Sequence, residues 1–335
     1  MGLHFGRIDV VMDNKNQYSD FCSKEREIPI FSQPWWLDAV CGADNWNVIL
    51  IRDNNLIVAS FPYFLKKWRF GMKFIDMPIL TQKLGIYIKY PDKQDNASRL
   101  SYEKRIFNLI IENLPKFDYF NVHFDYKYKN WLPFYWKGFN QTTRYTYLIT
   151  DLSNSSSTFG SFSGNKKTDI RKASKIVTIY YDLDCNDFIS YYSKSLAKQN
   201  DSLSYSADLI RRLHDITRFH NQGRIIYAVG NDNPNDIYGA IFYVWDNETI
   251  YSIITAFDPE FRSTSAPSLL FYQIMKDNEM TGLKFDFEGS MTESIENSYN
   301  KFGTEQVPYF RIHKNNSLGF KIYKILSEFK HEIIP

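Results

Sequence analysis

The sequence is poor in cysteine: three in 335 residues, Cys22, Cys41 and Cys185, odd in number and far apart. No C-x-x-C or other metal or redox spacing occurs, so a disulfide scaffold is unsupported and a reducing compartment is expected. Excess charge of one sign is also missing. Forty Lys and Arg against 38 Asp and Glu leave +2, which argues against a dedicated nucleic-acid binder, though not against a local basic patch. Long apolar runs are absent. The longest, 57–65, is interrupted by Ser60 and Pro62 and is far too short to span a bilayer, so no integral membrane segment is expected. Residues 1–14 hold no apolar run of secretory length, and Gly6 stands where a myristoylation signal wants Ser or Thr. These absences predict a soluble, cytoplasmic protein. The six histidines, His4, His123, His214, His220, His313 and His331, form no close pair at ligand spacing, so no metal is expected. P-loop, dinucleotide and G-x-S-x-G motifs are missing too, which leaves ATPase, dehydrogenase and serine-hydrolase readings unsupported.

What is present has globular proportions, with 44% hydrophobic and 23% charged residues, and a length that suits two domains. Aromatics reach 17%; Asn, Lys, Ile, Tyr and Phe rise together, a compositional drift that accounts for the total. In the first half, Pro34 opens a helix, and runs 47–52 and 56–66 read as a hairpin across an Asn-rich turn. Extended stretches follow at 70–75 and 86–89. Leu100, Ile106, Phe107, Ile110, Ile111 and Leu114 share one face of a helix over 97–114, and 119–124 alternates like a strand. The second half repeats the plan at greater length. A strand at 145–152 precedes a Ser/Gly-rich break, a basic helix at 165–175 and a strand at 177–181. Helices at 187–197 and 208–222 then lead to strands at 225–229, 238–245 and 249–257. A helix at 266–279, a short strand at 284–287, a helix at 294–302 closed by Gly303 and a strand at 307–313 follow. The expected fold is α/β (α+β) with domains at 1–145 and 146–315, and a terminal helix over 316–335 returning toward the first.

The strongest chemical signal is Lys284-Phe285-Asp286-Phe287-Glu288-Gly289-Ser290. Strand alternation places Asp286 and Glu288 on one face, where a carboxylate can take a proton from an attacking amine or hydroxyl. Capping the next helix or pairing with a nearby cation is the alternative. Arg262, Ser263, Thr264 and Ser265 precede the helix that starts near Ala266, and an anion is favoured at such a terminus. Simple capping explains the hydroxyls equally. The basic helix holds five cations in 165–175, including Lys166, Arg171 and Lys172; it reads as a phosphate-binding set or as a solvated face. Trp35 and Trp36 after Gln33-Pro34, and Gln82 within Thr81-Gln82-Lys83-Leu84-Gly85, can line a cleft for a peptide or sugar or sit in the core.

FSQPWWLDAV, TQKLGIY, NKKTDIRKA, and FDFEGS followed by YNKFG and VPYFRI occur in an order that resembles the FemAB-like branch of the GNAT superfamily, the tandem-domain transferases related to peptidoglycan bridge-forming enzymes. The resemblance spans nearly the whole chain. It implies two GNAT-like domains, each a mixed twisted sheet flanked by helices, facing across a cleft. It also implies transfer of an acyl group from acyl-CoA to an amine or hydroxyl of a sugar- or peptide-linked cell-envelope precursor. An aminoacyl-tRNA-dependent bridge aminoacyltransferase, with tRNA as partner, is one alternative, and a non-catalytic glycan- or peptide-binding pair is another. Two family features are missing: the coiled-coil arm and the glycines of the usual phosphate loop after 262. On this reading Glu288 or Asp286 assists deprotonation, and Tyr299 or Tyr309 protonates the leaving group. Backbone N–H near Ala256 and Phe257 polarises the carbonyl. Arg262, Ser263, Thr264 and Ser265 hold the donor, and Trp36, Gln82, Lys166, Arg171 and Lys172 hold the acceptor.

Overall fold

A computed structural model describes residues 8–12, 14–289 and 291–320. The chain divides into two compact units, the described residues up to Thr143 with those from Tyr309 onward, and Arg144–Pro308. The division therefore falls ahead of the Ser-rich segment, which is helical. Most of the expected terminal helix lies outside the described residues.

In the first unit the strands are β1 (Ile8–Met12), β2 (Trp46–Asp53), β3 (Leu56–Lys67), β4 (Lys73–Asp76), β5 (Tyr87–Ile88) and β6 (Tyr119–His123). With the end of β13 (Glu305–Asn315) they lie in the order β1-β2-β3-β4-β6-β13, and β5 pairs with β3. Among the described residues of this unit, only β4 and β6 pair in parallel. The β2–β3 hairpin follows from its turn: Asn54 and Asn55 both adopt positive φ, 48° and 67°, which this two-residue connection demands and Asn tolerates. Helices α1 (Lys15–Lys24), α2 (Pro34–Cys41), α3 (Asn96–Glu112) and α4 (Leu132–Trp136) complete the unit. Asp95 caps α3 through the Ser98 N–H at 2.7 Å, and Tyr102, Ile106, Phe107 and Ile110 bury its inner face. The sequence pattern misses β1, α1 and α4. The stretch from 70 is shorter than expected, because Phe70 sits in a tight turn with φ +58° and β4 begins only at Lys73.

The second unit contains β7 (Asn140–Ile149) from Arg144 on, α5 (Ser155–Ser161), α6 (Gly164–Ile176), β8 (Val177–Tyr181), α7 (Cys185–Ala197) and α8 (Ala207–Phe219). After them come β9 (Gly223–Gly230), β10 (Ile237–Trp245), β11 (Thr249–Phe257), α9 (Ala266–Asp277), β12 (Lys284–Asp286) and α10 (Glu293–Asn300). The strand order is β7-β12-β11-β10-β9-β8, with β11 and β12 parallel and joined through α9. The mixed α/β class expected from the pattern is what forms. Alternation along β10 sorts the helices: Ile241 and Tyr243 share a core with residues of α6 and α9, whereas Phe242 meets Phe188 of α7 and His214 of α8.

The three thiols are buried, and desolvation pushes Cys22 up to about 12 and Cys185 to about 11. Gly289 is fixed by space: a Cβ there would fall 1.7 Å from the Tyr145 carbonyl oxygen. Gly160, in α5, would place a Cβ in open space. Gly289→Ala should therefore destabilise the protein by about 3 kcal/mol or more. Gly160→Ala should stabilise it by about 0.4–1 kcal/mol. Urea titration of the two variants checks both signs.

Candidate functional site

The site originates in unequal strand lengths. β12 pairs with β11 over only Lys284, Phe285 and Asp286, opposite Thr249, Ile250 and Tyr251. β11 runs on to Phe257 and stays paired on its other side with β10. From Ser252 to Phe257, one edge of β11 thus has no strand beside it among the described residues. A bulge at Ile253 interrupts the register with β10 and twists this stretch further. Beside the open edge lies a cavity of about 540 Å³, lined by Ser252, Thr255 and Phe257 from β11 and by Phe287, Glu288 and Tyr299 opposite.

Glu288 reaches that cavity because the strand stops abruptly. Asp286 is fully buried, accepts the Thr146 hydroxyl, and accepts the Glu288 N–H at 2.8 Å. Thr146 Oγ1 in turn accepts the Gly289 N–H at 3.0 Å. These bonds hold Glu288 at φ +53°, a left-handed conformation that disfavours a side chain. The expectation that Asp286 and Glu288 share a face is corrected here: alternation ends at Phe287, so Asp286 anchors the turn and does not line this cavity, while Glu288 does. Tyr299, on α10, packs its ring 4.8 Å from Phe287. Burial, reinforced by Glu288 and Asp286, pushes its phenol up to about 12, so it stays protonated.

A second cavity of about 580 Å³ adjoins the first, sharing Lys166, Asp169, Arg262, Ser294 and Ser298. Two helices build it by the same arithmetic. Asn165, Thr168, Asp169 and Lys172 are spaced i, i+3, i+4, i+7 on α6; Ser294, Asn297, Ser298 and Lys301 repeat that spacing along and just beyond α10. Lys166, Lys172, Arg262 and Lys301 give it four cations against one carboxylate, Asp169. Lys166 is buried, donates to Ser268 Oγ at 2.8 Å, and lies 4.4 Å above the Phe302 ring. Desolvation holds its pKa below the ordinary lysine value; Asp169 partly offsets this and Lys301 adds to it.

The other predicted residues are placed as follows. Phe257 and Ser265 line the first cavity, whereas Ala256, buried and in register with Ala240, lines neither. Ser263 is exposed and lines neither, and Thr264 donates to the Phe261 carbonyl at 2.6 Å. Ser265 occupies the N-cap of α9 with φ +57° but makes no side-chain cap. The α9 N-terminus is largely closed to an anion. Ala266 N–H meets Thr264 Oγ1 at 3.4 Å, Pro267 has no N–H, and Ser268 and Leu269 donate to the Ser265 carbonyl. Arg171 lies over Phe159 and outside both cavities. In the first unit Trp36 is fully buried and donates to Thr81 Oγ1 at 3.0 Å, which makes it a core residue. Gln82 is buried, its carbonyl 3.2 Å from His123 Nδ1, and Tyr309 is buried edge-on to His123. Thr146, Ser268, Asn297 and Lys301 carried no assignment from the sequence. Only the α10 polar stripe offered a signal for the last two. Among the described residues, no group of His, Cys, Asp and Glu is assembled to hold a metal.

Comparison with known proteins adds to this geometry. Residues 166–294 match the acetyltransferase (GNAT) domain. The matched stretch lies within the second unit. Among solved structures, FemX has the same fold with a TM-score of 0.66 at 10% identity, over 95% of this chain and 99% of that one. A conserved protein of unknown function from Bacteroides thetaiotaomicron gives 0.57 at 10%, over 92% and 100%. A tandem GNAT protein from the clavulanic acid biosynthesis pathway gives 0.50 at 9%, over 93% and 99%. The FemAB-like resemblance read from the motifs thus holds in the fold. No curated protein matches the chain by sequence.

Lys166 supplies a test of the polar cavity. Its folded-state pKa is lowered, so the buried charge weighs against folding below that pKa, and stability recovers as pH rises toward 10.5. Lys166→Met should raise the melting temperature near neutral pH by about 2–4 °C per kcal/mol relieved. The variant should also flatten the rise between neutral pH and the ordinary lysine pKa. Thermal melts across that range check it.

Proposed function

We propose that the GNAT domain of the second unit is the catalytic half of an acyltransferase. It moves an acyl group from acyl-CoA to an amine or hydroxyl of a sugar- or peptide-linked cell-envelope precursor. The observation that carries this reading is the open β11 edge facing Glu288 and Tyr299 across one cavity. An acyl donor laid along that edge has its carbonyl within reach of unpaired backbone N–H groups, which stabilise the oxyanion of the tetrahedral intermediate. The acceptor nitrogen or oxygen attacks the carbonyl carbon while Glu288 accepts its proton. The intermediate then collapses, the carbon–sulfur bond breaks, and Tyr299, protonated at neutral pH, passes its proton to the departing thiolate. With the α9 N-terminus closed, the donor phosphates fall to side chains: Arg262, Lys166, Lys172 and Lys301. Asp286 and Thr146 act by positioning Glu288. Three buried, unpaired cysteines suit a reducing compartment, and we place the enzyme in the cytoplasm.

The closed α9 terminus also favours a second reading, in which the donor is an aminoacyl ester on tRNA and carries no pyrophosphate at that point. Calorimetric titration with acetyl-CoA separates the two. Micromolar binding abolished by Arg262→Ala is the expected result, and no binding at millimolar acetyl-CoA removes the thioester as donor. Activity sensitive to ribonuclease then points to the ester. In an acceptor screen that reads thiol release, Glu288→Gln should lower kcat by roughly 10²-fold or more with donor affinity nearly unchanged. Undiminished turnover in that variant removes Glu288 from the mechanism.

A further inference from the structure

The turn between β3 and β4 presents a side chain that nothing in the first unit covers. Phe70 is 96% exposed, at φ +58°, and Gly71 follows at φ +74°. The turn is well closed: Trp68 N–H donates to the Met72 carbonyl at 2.7 Å, and Met72 N–H to the Arg69 carbonyl at 3.4 Å. Trp68 stacks 5.3 Å from Phe74 and anchors the base, so the apex is held outward. Residues 66–73 read Lys-Lys-Trp-Arg-Phe-Gly-Met-Lys, with four cations and no carboxylate. Lys66, Lys67, Arg69 and Lys73 are all exposed, and none has a carboxylate partner among the described residues.

The basic character continues along the same end of the sheet. Tyr119 pairs with Phe74 on one side and Asn315 on the other, so β4, β6 and β13 terminate at one level. Exposed Lys116 lies just before β6, and Lys314 donates to the Lys137 carbonyl at 2.7 Å. Lys137 directly follows Trp136 and Tyr135, both more than half exposed, and Lys104 sits 5.0 Å above the Trp136 ring. Two acids near this end are already engaged: Asp118 accepts the Lys73 N–H at 2.8 Å, and Glu112 lies 3.7 Å from Lys137.

We infer that this end of the first unit docks on an anionic lipid surface, with Phe70 entering the acyl boundary and the flanking cations at the depth of the lipid phosphates. Charge complementarity names the occupant, and shape supports it. An aromatic on a convex apex, ringed by Lys and Arg, suits the interface of a bilayer. Single-stranded nucleic acid prefers a groove with ring faces laid open for stacking. The attachment inferred is peripheral, and no described helix is long and apolar enough to cross a membrane. It is weak, reversible and salt-sensitive, since one aromatic and a handful of cations carry it. The inference is independent of the acyl donor and of catalysis.

Co-sedimentation of the full chain with vesicles of phosphatidylglycerol mixed with phosphatidylcholine tests it. The protein should pellet with these vesicles at low salt, should remain in solution with phosphatidylcholine alone, and should be released by high salt. Phe70→Ser, and separately the pair Lys67→Glu and Arg69→Glu, should each lower the bound fraction at a given lipid concentration roughly five- to tenfold. All these positions are exposed, so circular-dichroism melts should match the parent. Failure of the parent to bind the anionic vesicles overturns the inference, as does unchanged binding by the variants. Vesicle binding absent while a tRNA probe binds the parent but not the variants also overturns it, and assigns the surface to nucleic acid.

Discussion

The shape of the second unit's candidate site depends on one buried carboxylate. Asp286 has no exposure to solvent and is tied to the Thr146 hydroxyl and the Glu288 N–H. A carboxylate buried this deeply survives only when its lone pairs are filled, and filling them forces the chain to turn at once after β12. That turn ends the pairing with β11, opens the edge beside the cavity and brings Glu288 to its wall. Gly289 completes the constraint, because only a residue without Cβ passes the Tyr145 carbonyl so closely. One group absent from the cavity's lining thus sets the shape of the site.

Much of the fold was legible because its elements obey simple periods. The α3 face, the β2–β3 hairpin with its paired asparagines, and the long β10 and β11 strands all appear where apolar spacing and turn chemistry put them. α1 was missed because its sequence, Lys-Asn-Gln-Tyr-Ser-Asp-Phe-Cys-Ser-Lys, buries only Tyr18 and Cys22, too thin a stripe to read. α5 was hidden by composition: Ser155–Ser161 is serine-rich, yet Asn154 caps it through the Ser157 N–H. The site was legible in part. FDFEG pointed to the right loop, but strand alternation could not announce a left-handed residue at Glu288. For Trp36 and Gln82 cleft and core stayed open alternatives, because an aromatic or an amide reads the same in either, and the structure buries both.

The departure from the usual phosphate loop has a structural counterpart. Where glycines would let backbone N–H groups converge on an anion, Pro267 removes one donor and the Ser265 carbonyl takes two others. Positive charge is supplied instead by α6, by Lys301 just after α10 and by Arg262 around the adjoining polar cavity. Lys166 bears the electrostatic strain of that substitution. It is buried close to the first turn of α9, where the helix dipole is also positive.

The buried thiols described in the fold have a practical consequence. Cys22 and Cys41 belong to the first unit and Cys185 to the second, and burial holds all three as unreactive neutral thiols. A thiol-specific label therefore enters only when the surrounding structure opens. Its rate at each position, resolved by peptide mapping, reports the local opening equilibrium of one unit at a time. The chain thus carries an internal probe for each half, with no engineered cysteine.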